Sequence, residues 1–200
     1  GVIALITRPD GRSFPEGDLN LVEGLAAQAS VSAHFIDLRE ALEIKKRLDH
    51  DLDLARHIQA RLLPADIPQV HGFEIAAINK AAQQIGGDYY DVVHIDKTHL
   101  GLAIADVSGK GIAGALVMSS CRSVLRALAP GRLDPSDILR AMNHAMGADM
   151  YEDMFVSMLY MVLNTLTGEM LMARAGHLPP LIFRAATQQF EEPPCEGIAV

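Results

Sequence analysis

Between Pro15 and Pro64 the chain contains no proline. Inside a helix, proline removes a backbone hydrogen bond and collides with the preceding turn, so this stretch is the widest window for uninterrupted helix. Asp18 is suited to an N-cap, and Glu16 and Glu23 suit the positive end of a helix. Helical periodicity continues to Leu63, where Pro64 stops it. A helix over residues 19–63 would be on the order of 65 Å long at ~1.5 Å per residue. A single compact domain of this size rarely holds such a helix; a connection between two domains does. Ile44, Leu48, Ala55, Ile58 and Leu62 follow alternating steps of four and three, with Asp51 at one seam position. Leu38, Leu42, Leu48 and Leu52 form a neighbouring stripe. The pattern is that of a short, imperfect coiled coil and predicts a dimerising linker, the alternative being a helix packed on its own domain. A polar seam residue lowers stability and can set register, so the seam is expected to be adjustable.

After Phe73 the periodicity changes. "FEIAAINKA" alternates and predicts a strand, as do "YYDVVHID" and "HLGLAIADV" around a turn at Asp96 to Thr98. Gly111 to Leu128 predicts a helix ended by Pro130-Gly131, and a second helix follows over Ser136 to Gly147, with Asp134 or Pro135 at its start. "MFVSMLYMVLN", "EMLMARAG" and "PPLIFRAA" predict further strands. Strands, two helices, then strands make an α+β pattern with antiparallel pairs, not alternating β-α-β. Val2 to Thr7 is a further short apolar run before a turn at Pro9-Asp10-Gly11.

Composition narrows the function classes. Acids outnumber bases, 25 to 17, giving a net charge of −8 and arguing against nucleic acid as a partner. No run of 18 or more apolar residues predicts a membrane span, and "GVIALITRPDG" lacks the marks of a signal peptide. The only cysteines are Cys121, in an apolar helical run, and Cys195, so a reducing, cytoplasmic setting is expected. The methionines from 118 to 172 fall on apolar faces and read as adaptable filler.

The glycine-rich stretch "ADVSGKGIAGALVMS" contains Gly109-Lys-Gly111-Ile-Ala-Gly114, a literal G-x-G-x-x-G between strand and helix. A dinucleotide site needs a strand after that helix, ending in an acid; here a second helix follows, and Asp106 would repel a pyrophosphate. The P-loop pattern is absent too, and Ser108 has no Ser-His-Asp order to make it a nucleophile. In "QIGGDYYDV", Asp88 follows two glycines and opens a strand, while Asp106 closes the strand expected to pair with it. If the register brings these ends together, two carboxylates meet and need a counterion. Mg²⁺ or Mn²⁺, which prefer oxygen ligands, would supply it; the alternative is that each acid caps a turn.

"IGGDYYDV", "ADVSGKGIAGALVMS", "MFVSMLYMVL" and "ARAGHLPPLI" come in the order and rough spacing of the bacterial PPM-type serine/threonine phosphatases, and "ARHIQARLLP" is similar to the helix that precedes them. The chain resembles the RsbU/SpoIIE branch of that family from Leu54 to about Val200. The resemblance implies a PPM-type β-sandwich flanked by helices and preceded by a long helical linker. It also implies Asp88 and Asp106 as ligands of a two-metal centre, Asp106 bridging both ions and the carbonyl of Val107 adding a ligand. Water activated by Mn²⁺ or Mg²⁺ would then hydrolyse phosphoserine or phosphothreonine on a protein, typically an anti-sigma-factor antagonist. The segment from Gly1 to Leu38 resembles the last strand and helix of a GAF sensor domain. The expected organisation is a GAF remnant over 1–38, a coiled-coil-like dimerisation linker over 39–64, and the N-terminal part of the phosphatase domain over 65–200.

The sequence departs from the family in two places. Later T-D-G and D-D motifs, which supply two further metal aspartates, have no match here. That predicts a fragment with an incomplete, inactive centre, or else a non-catalytic dimerising module. Arg174 stands where the family usually has Asn before Ala-Gly-His. His177, next to Pro179-Pro180, is expected to be a structural turn residue rather than a general acid or ligand.

Overall fold

The computed structural model describes residues 13–80, 85–147, 150 and 153–194. The run Val2 to Thr7 and Cys195 lie outside the described residues. The proline-free stretch forms one helix, α1 (Glu16–Leu62), of 47 residues, continuous across Leu38 and Arg39. Its first turn carries Glu16 and Asp18 and its last Arg61, which suits the helix dipole at both ends. The chain divides into a unit over Gly1–Asp51 and a unit over Leu52–Val200. In the first, no described side chain is buried, and Leu25, Phe35, Leu42, Ile44 and Leu48 are exposed.

The second unit holds β1 (Tyr89–His94), β2 (His99–Val107), α2 (Gly111–Leu128), α3 (Pro135–Met146), β3 (Val156–Asn164), β4 (Met170–Ala175), β5 (Ile182–Arg184) and β6 (Gln189–Glu191). The first four strands form a sheet of order β1-β2-β3-β4 in which every pairing is antiparallel. β5 and β6 form a separate two-stranded ribbon. The architecture is α+β, as the segment order predicts. An antiparallel sheet, with α2 running straight on to α3, also removes the dinucleotide reading of the glycine loop.

Short polar residues set the turns. The Asp96 carboxylate accepts from the Thr98 and His99 amides (2.7 and 2.9 Å), closing the β1–β2 turn. Asn164 does the same for Leu166 and Thr167 between β3 and β4. Asp134 is the N-cap of α3, accepting from Ser136 N at 2.8 Å, with Pro135 in the first turn.

α2 and α3 cover one face of the sheet. Strand alternation sends Tyr89, Val93, Ala103, Ala105, Val107, Met158, Tyr160 and Val162 into a core with Met118, Cys121, Leu125, Ile138, Met142 and Met146 from the helices. Met170, in contrast, is exposed. By length and composition α2 is apolar enough to cross a membrane, unlike the sequence expectation, but here it packs on the sheet through Met118, Cys121 and Leu125. The strand expected over "FEIAAINKA" does not form among its described residues: Val70 and Phe73 make a single bridge, and Ile75 to Lys80 have no ladder partner. Alternation reports an extended chain with one covered side; it does not supply a neighbouring strand.

Candidate metal centre

The β1–β2 ladder ends at Tyr89 opposite Ala105, so Asp88 and Asp106 are the residues just beyond its last pair, and Gly87 next to Asp88 lies against Val107. Alternation places both carboxylates on the face away from α2 and α3, because Tyr89, Ala105 and Val107 point into the helix-covered core. The carboxyl of Asp88 is pushed above its usual range by partial desolvation, then by the Asp106 charge and a hydrogen bond with Asp106. The structure thus brings together the two acids that the sequence singled out, and they interact.

The neighbouring backbone is close-packed around them. A Cβ on Gly87 would lie 2.7 Å from the Val107 carbonyl oxygen and 3.0 Å from Val107 Cβ. Glycine is therefore required there for the backbone to sit against the predicted carbonyl ligand. Gly109 and Gly111 have φ of +102° and +70°, which lets the chain turn sharply from β2 into α2. The first turn of α2 presses on the same loop, since a Cβ on Gly114 would lie 3.1 Å from Gly109 O and 3.7 Å from Gly87 Cα. Ser108 is a fastener here: its N–H donates to Phe155 O (2.8 Å) and its Oγ accepts from Phe155 N (2.7 Å), holding the ends of β2 and β3 together.

Two residues enter the site without a local sequence signal. Ser157 is the β3 partner of Asp106; its Oγ donates to Asp106 O at 3.3 Å and lies 2.9 Å from His177 Nδ1. His177 therefore sits beside the acid pair, and Arg174 Nη1 donates to its carbonyl at 2.6 Å. Desolvation lowers the pKa of His177, Asp106 opposes that shift, and Arg174 adds to it. Asp88, Asp106, His177, Asn79 and Ile78 all line one open cleft of about 680 Å³. The second addition is Gln59 in the last turns of α1. Its Nε2 donates to Gly86 O at 2.6 Å and its Oε1 accepts from Gly86 N at 3.2 Å.

Two facing carboxylates and a nearby main-chain carbonyl are hard oxygen donors, and their mutual repulsion is what a divalent cation would relieve, so the residues present fit Mg²⁺ or Mn²⁺. Among the described residues no group of three or more His, Cys, Asp or Glu is placed to hold an ion. Asp88 and Asp106 are thus the two carboxylates that the described residues would offer to such an ion.

An antiparallel sheet backed by two helices is also the arrangement found in PP2C-type phosphatase domains that the chain resembles. The SiaA-PP2C domain of Pseudomonas aeruginosa superposes with a TM-score of 0.59 over 78% of this chain and 63% of its own, at 19% identity. The RsbU and RsbW domains of Rv1364c from Mycobacterium tuberculosis give a TM-score of 0.52 at 26% identity, over 60% of this chain and 33% of that one. Residues 96–199 match the family Stage II sporulation protein E (SpoIIE), and the chain belongs to that family. Phosphoserine phosphatase RsbU of Bacillus subtilis is 31% identical over 157 residues, which are 78% of this chain and 47% of RsbU. Phosphoserine phosphatase RsbP of the same organism is 26% identical, over 70% of this chain and 35% of RsbP. The chain thus spans about half the length of RsbU or less of its curated relatives.

Proposed function

We propose that this chain carries part of the metal centre of a metal-dependent protein serine/threonine phosphatase. The observation that carries the proposal is the Asp88–Asp106 pair just beyond the end of the β1–β2 ladder, where burial and then the Asp106 charge raise the Asp88 carboxyl above its usual range. Asp88, Asp106 and the Val107 carbonyl would hold Mn²⁺ or Mg²⁺, of which the complete centre would take two. Such ions supply an activated water for in-line attack on phosphorus and offset charge on the transferring group. The chain's own contribution is orientation. Gly87 and Gly114 let the loop close, Ser108 ties β2 to β3, and Ser157 links Asp106 to His177.

The substrate class we propose is phosphoserine or phosphothreonine on a protein, of the anti-sigma-factor antagonist type, in the cytoplasm. The names of RsbU and RsbP as phosphoserine phosphatases and the RsbW domain beside the RsbU domain of Rv1364c support it. Control by an upstream GAF sensor and homodimerisation through α1 belong to the same proposal; the exposed apolar stripe of α1 supports the second.

One observation favours a second reading, a non-catalytic dimerising module: only two acids of a centre meet among the described residues. Mn²⁺-dependent phosphate release from a phosphoprotein decides between them. The phosphatase reading expects release that Asp106→Ala abolishes. Absent release by the protein in its longest natural form favours the module.

A further inference from the structure

The final turns of α1 present a half-buried face made of Leu52, Ala55, Gln59 and Leu62. Gln59 is the one amide in that otherwise apolar row. Its two bonds go to a single target, both polar groups of Gly86, so the side chain grips the main chain as a neighbouring strand would. Gly86 precedes Gly87, which abuts Val107, and Asp88, which faces Asp106. The end of α1 is itself tied down, because Arg122 on α2 donates through Nε to the carbonyl of Leu62. α2 in turn starts at the glycine loop and packs its Gly114 against Gly87. The end of α1, the Gly86–Asp88 segment and the head of α2 therefore form a closed ring of contacts that adjoins Asp88.

We infer that Gln59 is a positioning residue for the metal centre: its amide sets the backbone at Gly86 and thereby the placement of Asp88 opposite Asp106. The inference rests on the metal-centre reading above and adds to it a residue 29 positions upstream of Asp88 in sequence (88 − 59). Gln59 does not touch the metal or the substrate. It acts through Gly86, as outer partners of metal ligands do when they orient the ligands that bind.

The test compares wild type with Gln59→Met, which keeps length and helix propensity but removes both hydrogen bonds, and with Gln59→Ala. Mn²⁺ binding is read from the electron paramagnetic resonance signal of free Mn²⁺, and hydrogen exchange is read at the Gly86, Gly87 and Asp88 amides. Both variants should bind Mn²⁺ roughly tenfold more weakly, the lower end of the range for lost outer partners. The Gly86 amide should exchange faster, while amides of β2 and β3 stay as protected as in wild type, reporting an intact fold. Excess Mn²⁺ should restore the lost occupancy. Unchanged Mn²⁺ affinity with an unchanged Gly86 exchange rate in Gln59→Met overturns the inference. Should wild type itself bind no Mn²⁺, the metal reading fails separately, and the Gly86 exchange rate alone then decides whether Gln59 sets the loop.

Discussion

Asp88 and Asp106 oppose each other in a fold that gains nothing from having them both charged. The raised pKa of Asp88 means that the folded, metal-free chain holds its proton more tightly than the unfolded chain. The contribution of the Asp88 carboxyl to stability is thus greatest below its unfolded value and falls as pH rises through the folded one. Asp88→Asn removes that dependence. It should raise the melting temperature of the metal-free protein at neutral pH slightly, and divalent metal should no longer raise it further; thermal melts with and without Mn²⁺ check both. Gly87 makes the complementary point about space. Gly87→Ala forces a methyl to 2.7 Å from Val107 O, a backbone atom that cannot swing aside. A loss of about 1–3 kcal/mol is expected from overpacking, together with weakened Mn²⁺ binding, readable by denaturant titration and metal titration. The acids were legible in the sequence because each stands beside glycines at a strand end. His177 and Ser157 were not legible as part of the site, because the β3 register brings Ser157 to Asp106 from 51 residues away.

Among the elements, α2 is held to the sheet by more than its apolar face. Asp91 on β1 is 1% exposed yet charged. Its carboxylate accepts from Arg126 Nε and Nη2 of α2 (2.7 Å each), from Tyr89 OH (2.7 Å) and from Val92 N (2.9 Å). Burial and the Asp91 charge push the Tyr89 hydroxyl well up, and the bond to Asp91 raises Arg126. With its acceptor positions occupied, Asp91 is a satisfied buried anion that fixes where α2 lies along β1. Arg126→Met strands that anion. The expected cost is about 3 kcal/mol, at the low end for a broken buried pair because Arg126 is part-exposed. Pairing it with Asp91→Leu should recover much of the loss, and urea unfolding of the three variants measures the coupling. Sequence periodicity located α2 to its observed ends, Gly111 and Leu128, and placed β2 and β3 well. It marked Asp91 only as part of a strand, since nothing in "YYDVVH" says that an arginine 35 residues on will reach it.

At the scale of the whole molecule, α1 leaves Leu38, Leu42, Ile44, Leu48 and Ile58 in solvent, all between 48% and 69% exposed. A row of this kind along a long helix is the pattern of a coiled-coil seam. The proposed homodimer therefore predicts concentration-dependent self-association in sedimentation equilibrium, which Leu48→Glu should abolish. A monomer at every concentration for the unmodified protein would remove the dimer from the proposal. Polar substitution of Leu48 and Leu52 should also change metal-dependent turnover while leaving Asp88 and Asp106 in place; unchanged turnover and metal affinity would separate the seam from the site.

The sequence by itself determined the long helix, the α+β order and the two acids, because each is written in local terms: a proline-free window, a period of 3.6 or 2, a carboxylate beside glycines. The tertiary structure alone decided that Asp88 and Asp106 face one another, that His177 joins them through Ser157, that Arg126 completes Asp91, and that Gln59 grips Gly86. Each of these depends on strand register or helix docking. Both are set by how apolar faces pack across many residues, and no short stretch of sequence encodes that packing.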